Sequence, residues 1–133
     1  MFSYFTIKDA NKILPNTIKK FQEIVDMKKT IEKIQSEMEM SLHPSSDFKD
    51  YVLQKQKLNS AVSKLYKVIE ELENTGVIIK SVDDGLLDFP SRRFNEDIWL
   101  CWKEGETEIK FWHEKNEGFG GRKPISVSDE SLV

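Results

Sequence analysis

Ile24-Val25-Asp26-Met27-Lys28-Lys29-Thr30-Ile31-Glu32-Lys33-Ile34-Gln35-Ser36-Glu37-Met38 places Ile24, Met27, Ile31, Ile34 and Met38 at spacings of 3, 4, 3 and 4. That spacing is one continuous stripe on an α-helix, and the other faces are Lys, Glu and Gln. A second stripe runs through Leu58, Ala61/Val62, Leu65, Val68/Ile69 and Leu72. Between them stands Ser41-Leu42-His43-Pro44-Ser45-Ser46-Asp47, where Pro44 stops the first helix and Ser46 or Asp47 caps the next. Neither stripe can be buried alone, and a short connection forces the helices antiparallel. A long helical hairpin over residues 14–75, packed in the manner of a coiled coil, follows. Asn74-Thr75-Gly76 ends it, with Gly76 able to take the left-handed conformation past the last turn.

Upstream, Phe2, Tyr4 and Phe5 suggest a short strand, and the Thr6 hydroxyl can cap a helix facing Ile7, Ala10 and Ile13 inward. Pro15 lacks an N–H and clashes with the preceding turn, so the expectation is a short helix over 7–13 leading into the long one. Downstream the apolar period changes from about 3.6 to 2. Val77 to Val82 and Leu86 to Phe89 flank Asp83-Asp84-Gly85, a tight-turn sequence, and Pro90 is expected to close that strand. A second hairpin is predicted from Ile98 to His113, turning at Glu104-Gly105. That turn pairs Leu100 with Ile109 and Ile98 with Phe111, sending Trp102, Phe111 and His113 to one face and Trp99, Cys101 and Trp112 to the other. The fold class is α+β: a long antiparallel helical hairpin packed on a small antiparallel β-sheet. One domain is expected over 1–125, with the sheet in 76–125 and a flexible tail at 126–133.

The 133 residues suit one ordinary domain. The net charge of -3 is uneven, since residues 1–75 carry 12 Lys/Arg against 11 Asp/Glu and residues 76–133 carry 8 against 12. Neither part has the basic excess that phosphate-backbone binding needs, so nucleic acid is not an expected partner. One cysteine excludes an intramolecular disulfide and fits a reducing, cytoplasmic setting. No apolar run approaches the roughly 20 residues that span a bilayer, and no membrane association is expected.

Four groups of residues together resemble domain-of-unknown-function family 2203, a prokaryotic family. They are Phe5-Thr6-Ile7-Lys8-Asp9-Ala10-Asn11, Gly85-Leu86-Leu87-Asp88-Phe89-Pro90, Leu100-Cys101-Trp102, and Trp112-His113-Glu114 followed by Glu117-Gly118-Phe119-Gly120-Gly121-Arg122. The family commonly has a small residue such as Ala where Gly120 stands and an acidic residue where Asn116 stands. The second difference removes one carboxylate from this chain. The resemblance implies a domain assignment and brings no activity with it.

All three tryptophans, the one cysteine, one of the two histidines and four of the six glycines fall within Trp99 to Arg122. Candidate chemistry gathers there. His113 stands beside Glu114, with Glu117 three residues on and Asp88 and Cys101 elsewhere in the sheet. Imidazole, carboxylates and a thiolate at one point would hold a divalent metal or run acid/base chemistry. The spacing matches no zinc motif, and the plainer alternative is a His113 hydrogen-bonded to a backbone carbonyl or to Glu96. Gly118, Gly120, Gly121 and Arg122 form a candidate anion-binding loop, in which glycine amides and a guanidinium converge. The alternative there is a loop lying close on the sheet, with Arg122 paired to Asp88 or Glu117. Trp99 and Trp112, on the more polar predicted face, would be the exposed aromatics.

Two functional readings stand. In the first, favoured by the long amphipathic helices and the lack of any complete catalytic motif, the hairpin is a non-catalytic interaction or oligomerisation module that docks a protein partner or a second copy. In the second, the chain is a small metal- or anion-dependent enzyme or ligand-binding protein. Its site comprises His113, Glu114, Glu117, Asp88 and the loop to Arg122.

Overall fold

In the computed structural model, residues 4–41 and 47–125 are described. The fold is α+β, with helices α1 (Ile7–Ser41) and α2 (Phe48–Glu73) followed by strands β1 (Ile78–Ser81), β2 (Leu86–Arg93), β3 (Glu96–Lys103), β4 (Phe111–Glu114) and β5 (Lys123–Pro124). Thr6 caps α1 as expected, its Oγ1 accepting from the Asp9 amide at 2.9 Å. Asp47 caps α2, its carboxylate accepting from the Lys49 amide at 3.0 Å. The expected roles of Pro44 and Ser46 lie outside the described residues, as do Phe2 and the tail. Gly76 ends α2 at φ 100°, its amide donating to the Glu73 carbonyl. Any Cβ there would press on the Phe5 ring at 3.1 Å.

Pro15 does not divide the first helix, which runs unbroken through it. Its ring is on the exposed side, between the buried Leu14 and Thr17. At this exposed position the proline costs the one helix hydrogen bond to the Asn11 carbonyl, while the buried stripe Ala10, Leu14, Thr17, Phe21 holds both sides in register.

The sheet is an antiparallel meander in the order β1-β2-β3-β4-β5. Pro90 does not close β2, which continues to Arg93. A strand residue's N–H and C=O point to the same side, and the Pro90 carbonyl accepts from the Phe5 amide at 2.7 Å. The missing N–H thus lies on that side, where β1 has already ended at Ile78↔Asp88, and the ladder with β3 loses nothing. Beyond Arg93 the chain reverses through Phe94 (φ 50°) and Asn95 (φ 65°), the two positive angles that a two-residue hairpin requires.

The β3–β4 pairing differs from the predicted one. Leu100 faces Trp112, Cys101 faces Phe111 and Trp99 faces His113, so the register is displaced by three residues. The two-residue turn is replaced by a longer excursion over 104–110. It is pinned where the Trp102 indole donates to the Glu106 carbonyl at 2.8 Å and the Ile109 amide donates to the Asn11 side chain at 2.6 Å. An odd displacement exchanges the faces of β4 relative to β3. Leu87, Phe89, Ile98, Leu100, Trp102 and Trp112 therefore share the inner face, where the Phe21 ring meets Trp102 edge-on at 5.4 Å. Asp88, Trp99, Cys101, Phe111 and His113 share the outer one.

Two compact units divide the chain, Met1–Phe21 with Leu72–Val133, and Gln22–Glu71. The first contains the sheet, the opening turns of α1 and the buried indole of Trp102. In the second, the helices line a shared cavity of about 410 Å³ whose walls include Met27, Ile34, Lys57, Ala61 and Lys64.

Phe94 sits exposed in a left-handed conformation that β-carbon sterics disfavour by roughly 1–2 kcal/mol. Phe94→Asn is expected to raise stability by about 0.5–1 kcal/mol, read as a higher midpoint of urea unfolding. A lower midpoint would mean that the stacking of Arg93 over the Phe94 ring, at 4.8 Å, outweighs the backbone strain.

Candidate functional site

Three adjacent strands bring Asp88 (β2), Cys101 (β3) and His113 (β4) together on the outer face of the sheet. Asp88 lies directly opposite Cys101, and His113, opposite Trp99, is diagonal to it. The three side chains offer a carboxylate oxygen, a sulfur and an imidazole nitrogen, all within 4.8 Å of one another. Their relative exposures are 1%, 2% and 1%, so the cluster is buried, yet it lines a cavity of about 180 Å³. Lys80, Ser81 and Leu86 form one wall of that cavity, and Gly118 and Phe119 contribute to another.

The hydrogen bonds at His113 fix its protons. Its Nδ1 lies 3.0 Å from the Glu114 carbonyl, which can only accept, so Nδ1 carries the proton and donates. Nε2 lies 3.1 Å from Asp88 Oδ1, a contact that either a proton or a metal ion held between the two atoms can bridge. The other oxygen, Asp88 Oδ2, is buried, and Lys80 Nζ stands 3.8 Å away.

Burial pushes the Asp88 carboxyl above its ordinary value, opposed by the hydrogen bond and charge of His113, by Lys80 and by a hydrogen bond from the Cys101 thiol. Burial, helped by the Asp88 charge, pushes the Cys101 thiol from 9.0 up to about 11, against the nearby Arg122. Without a metal, Cys101 is a neutral thiol near neutral pH and is not an activated nucleophile.

The remaining sequence candidates are placed differently. Glu114 follows His113 in the strand and so points to the opposite face, where it is exposed and accepts from Lys123 Nζ at 2.8 Å. That ammonium holds the Glu114 carboxyl below its ordinary value. Glu117 is exposed, and its side chain lies against the Cα of Gly121, where any Cβ would collide with it. Gly118 lines the cavity, while Phe119–Gly121 form a single 3-10 turn. Within that turn the amides of Gly121 and Arg122 donate to the carbonyls of Gly118 and Phe119.

Arg122 pairs with neither Asp88 nor Glu117. Its Nη2 reaches both carboxylate oxygens of Glu106 at 2.7 Å, and the guanidinium stacks 4.0 Å from the centre of the Phe111 ring. Part of the donor set expected of an anion loop is thereby committed inside the fold, and the loop serves to lay Phe119 beside the cluster. Two site residues escaped the sequence reading. Lys80 and Ser81 reach the cavity because of a β-bulge: Ile79 faces Leu87 and Ser81 faces Leu86, leaving Lys80 as the extra residue. The bulge turns both side chains to the outer face, where strand alternation alone would admit one.

The pH dependence of each buried group has a definite sign. The Cys101 thiol binds its proton more tightly folded than unfolded, so its contribution to stability is fully present below pH 9 and is lost as pH rises through about 11. Metal-free protein should therefore lose stability across that window, and Cys101→Ala should flatten the loss. Alkylation by iodoacetamide at pH 8 should be at least about 100-fold slower in the native than in the unfolded chain, matching the smaller thiolate fraction. Equal rates would show that the thiol is not buried in this way.

Asp88 is likewise raised, so charging it costs stability as pH rises above the ordinary carboxylate range. Asp88→Asn removes that cost and should leave the metal-free chain at pH 7 no less stable than the parent. A drop of several degrees in melting temperature would make Asp88 a structural partner of His113 instead.

The comparisons with known proteins come to one match. A family model described as "Uncharacterized conserved protein (DUF2203)" matches residues 3–125. No curated protein matches the chain, and no solved structure does.

Proposed function

The chain belongs to the DUF2203 family, and from the geometry of its own site we propose that it is a small metal-binding protein whose ion sits between Asp88, Cys101 and His113. The observation that carries this reading is the convergence of one carboxylate oxygen, one sulfur and one imidazole nitrogen within 4.8 Å of one another, all buried, with His113 Nε2 and Asp88 Oδ1 3.1 Å apart. Donors about 3.3 Å apart are what tetrahedral bonds of about 2.0–2.1 Å demand. An Nδ1–H donated to a backbone carbonyl is also the usual way a metal-binding imidazole is oriented.

Mixed sulfur, nitrogen and oxygen donors suit zinc or a similar borderline ion and do not suit magnesium or calcium. Metal binding displaces the thiol proton, and the ion then supplies the charge that Asp88 and His113 lack between them. Three protein donors leave a fourth position toward the cavity, the arrangement of sites that bind or activate a ligand. The buried, unpaired cysteine accords with a cytoplasmic, reducing setting. Among the described residues no helix is long and apolar enough to cross a membrane.

Chain purified without chelator, or reconstituted with Zn²⁺, should hold one ion per chain by elemental analysis, and His113→Ala should weaken binding by at least about 100-fold. Absence of metal after reconstitution, or an unchanged ion content in His113→Ala, would sink the proposal. The helical interaction module is a second reading, supported by the exposed Phe48, Leu53 and Tyr66 on α2. Native mass spectrometry reports subunit number in the same experiment, and a strictly monomeric chain would remove the self-association form of that reading.

A further inference from the structure

We infer that the cavity beside the metal position is a subsite for a small organic monoanion, a carboxylate of about acetate to propionate size, with Lys80 as its second anchor. The inference rests on the metal reading above and adds the chemical class of the ligand. Charge comes first. A divalent ion bound by the Asp88 carboxylate, the Cys101 thiolate and a neutral imidazole is neutral as a unit, and Lys80 leaves the pocket with a single positive charge. A monoanion balances it, whereas a dianion leaves a net negative charge beside the buried Asp88, Cys101 and His113.

Geometry comes second. The β-bulge at Lys80 departs from regular pairing at the point where β1 passes Asp88, and it delivers both an ammonium and a hydroxyl to the cavity. Bulges that re-aim side chains recur beside binding sites. Lys80 Nζ, at 3.8 Å from Asp88 Oδ2, is too far for a hydrogen bond and close enough that an oxygen held on the metal would fall within its reach. The Ser81 hydroxyl already accepts from the Asp84 amide at 3.0 Å, which leaves its proton free to donate.

Size and polarity come third. About 180 Å³ is ample room for a carboxylate with a short carbon stem. Leu86 and the Phe119 ring furnish apolar wall, which a carbon stem can use and an inorganic oxyanion cannot.

The test uses the Co²⁺-loaded chain, in which the visible bands report the metal's coordination and the near-ultraviolet thiolate band reports Cys101. Titration with acetate and propionate should shift the visible bands saturably, with propionate at least as tight as acetate and phosphate at least about 10-fold weaker. Lys80→Met should weaken carboxylate binding about 10-fold or more while leaving cobalt stoichiometry and the thiolate band unchanged. Lys80→Arg should retain most of the affinity. Cobalt that binds normally with bands indifferent to carboxylates, equal affinity in Lys80→Met, or phosphate binding as tightly as propionate would each overturn the subsite and leave the metal reading intact. Failure of cobalt to bind at all would overturn both.

Discussion

The pairing of β4 on β3 is the constraint on which the rest of the sheet depends. Side chains alternate with a period of two, so the displacement that sets Leu100 against Trp112 decides the face of every residue in β4. It carries Trp112 inward beside Leu100 and sends His113 outward to the face of Asp88 and Cys101. In any register one residue away, the imidazole would enter the apolar side and the Trp112 indole would lie over the polar cluster. Glu106 and Asn11 hold this register from outside the ladder, through Trp102 Nε1 and the Ile109 amide. The inner apolar face and the outer polar cluster are two consequences of one alignment.

Burial at the outer cluster has two opposed effects. It raises the proton affinity of Asp88 and of the Cys101 thiol, which favours neutral groups and costs stability once they ionise. It also limits competing water, so that a cation placed among the three donors would meet ligands that mainly face one another. Asp88 has one oxygen 3.1 Å from His113 Nε2 and the other 3.8 Å from Lys80 Nζ, beside the Cys101 thiol. The bulge at Lys80 and the turn at Phe119 bring charge and apolar wall to the same spot from different parts of the chain.

Local chemistry was readable in the sequence wherever one residue type has one physical use. Thr6 and Asp47 at helix starts, Gly76 at a helix end and Asp84-Gly85 at a tight turn stand where their side chains or backbone freedom dictate. What was not readable depends on tertiary pairing. Pro90 sits inside a strand because the neighbouring strand has ended on its N–H side, and Phe94 occupies a turn position that turn chemistry assigns to Asn or Gly. The β4 register was ambiguous because Phe111 and Trp112 are both large and apolar, so either can serve as the inward residue. Ile109 is buried in the loop rather than in the ladder, so it gave false support to the shorter turn. Asp88 and His113 were candidates by residue type, whereas Cys101 reads most simply as a small buried apolar residue, and the false register put it on the opposite face from His113. Glu114, adjacent in sequence, is excluded from the cluster by the same alternation that admits His113.

The claim on which this account turns is that Asp88, Cys101 and His113 hold one metal ion. X-ray absorption at the zinc edge of the reconstituted chain tests it most directly. The account predicts one sulfur at about 2.3 Å with nitrogen and oxygen neighbours at about 2.0–2.1 Å, and loss of the sulfur shell in Cys101→Ser. A shell of oxygen and nitrogen alone in the unsubstituted chain, or a sulfur shell that persists in Cys101→Ser, would contradict it.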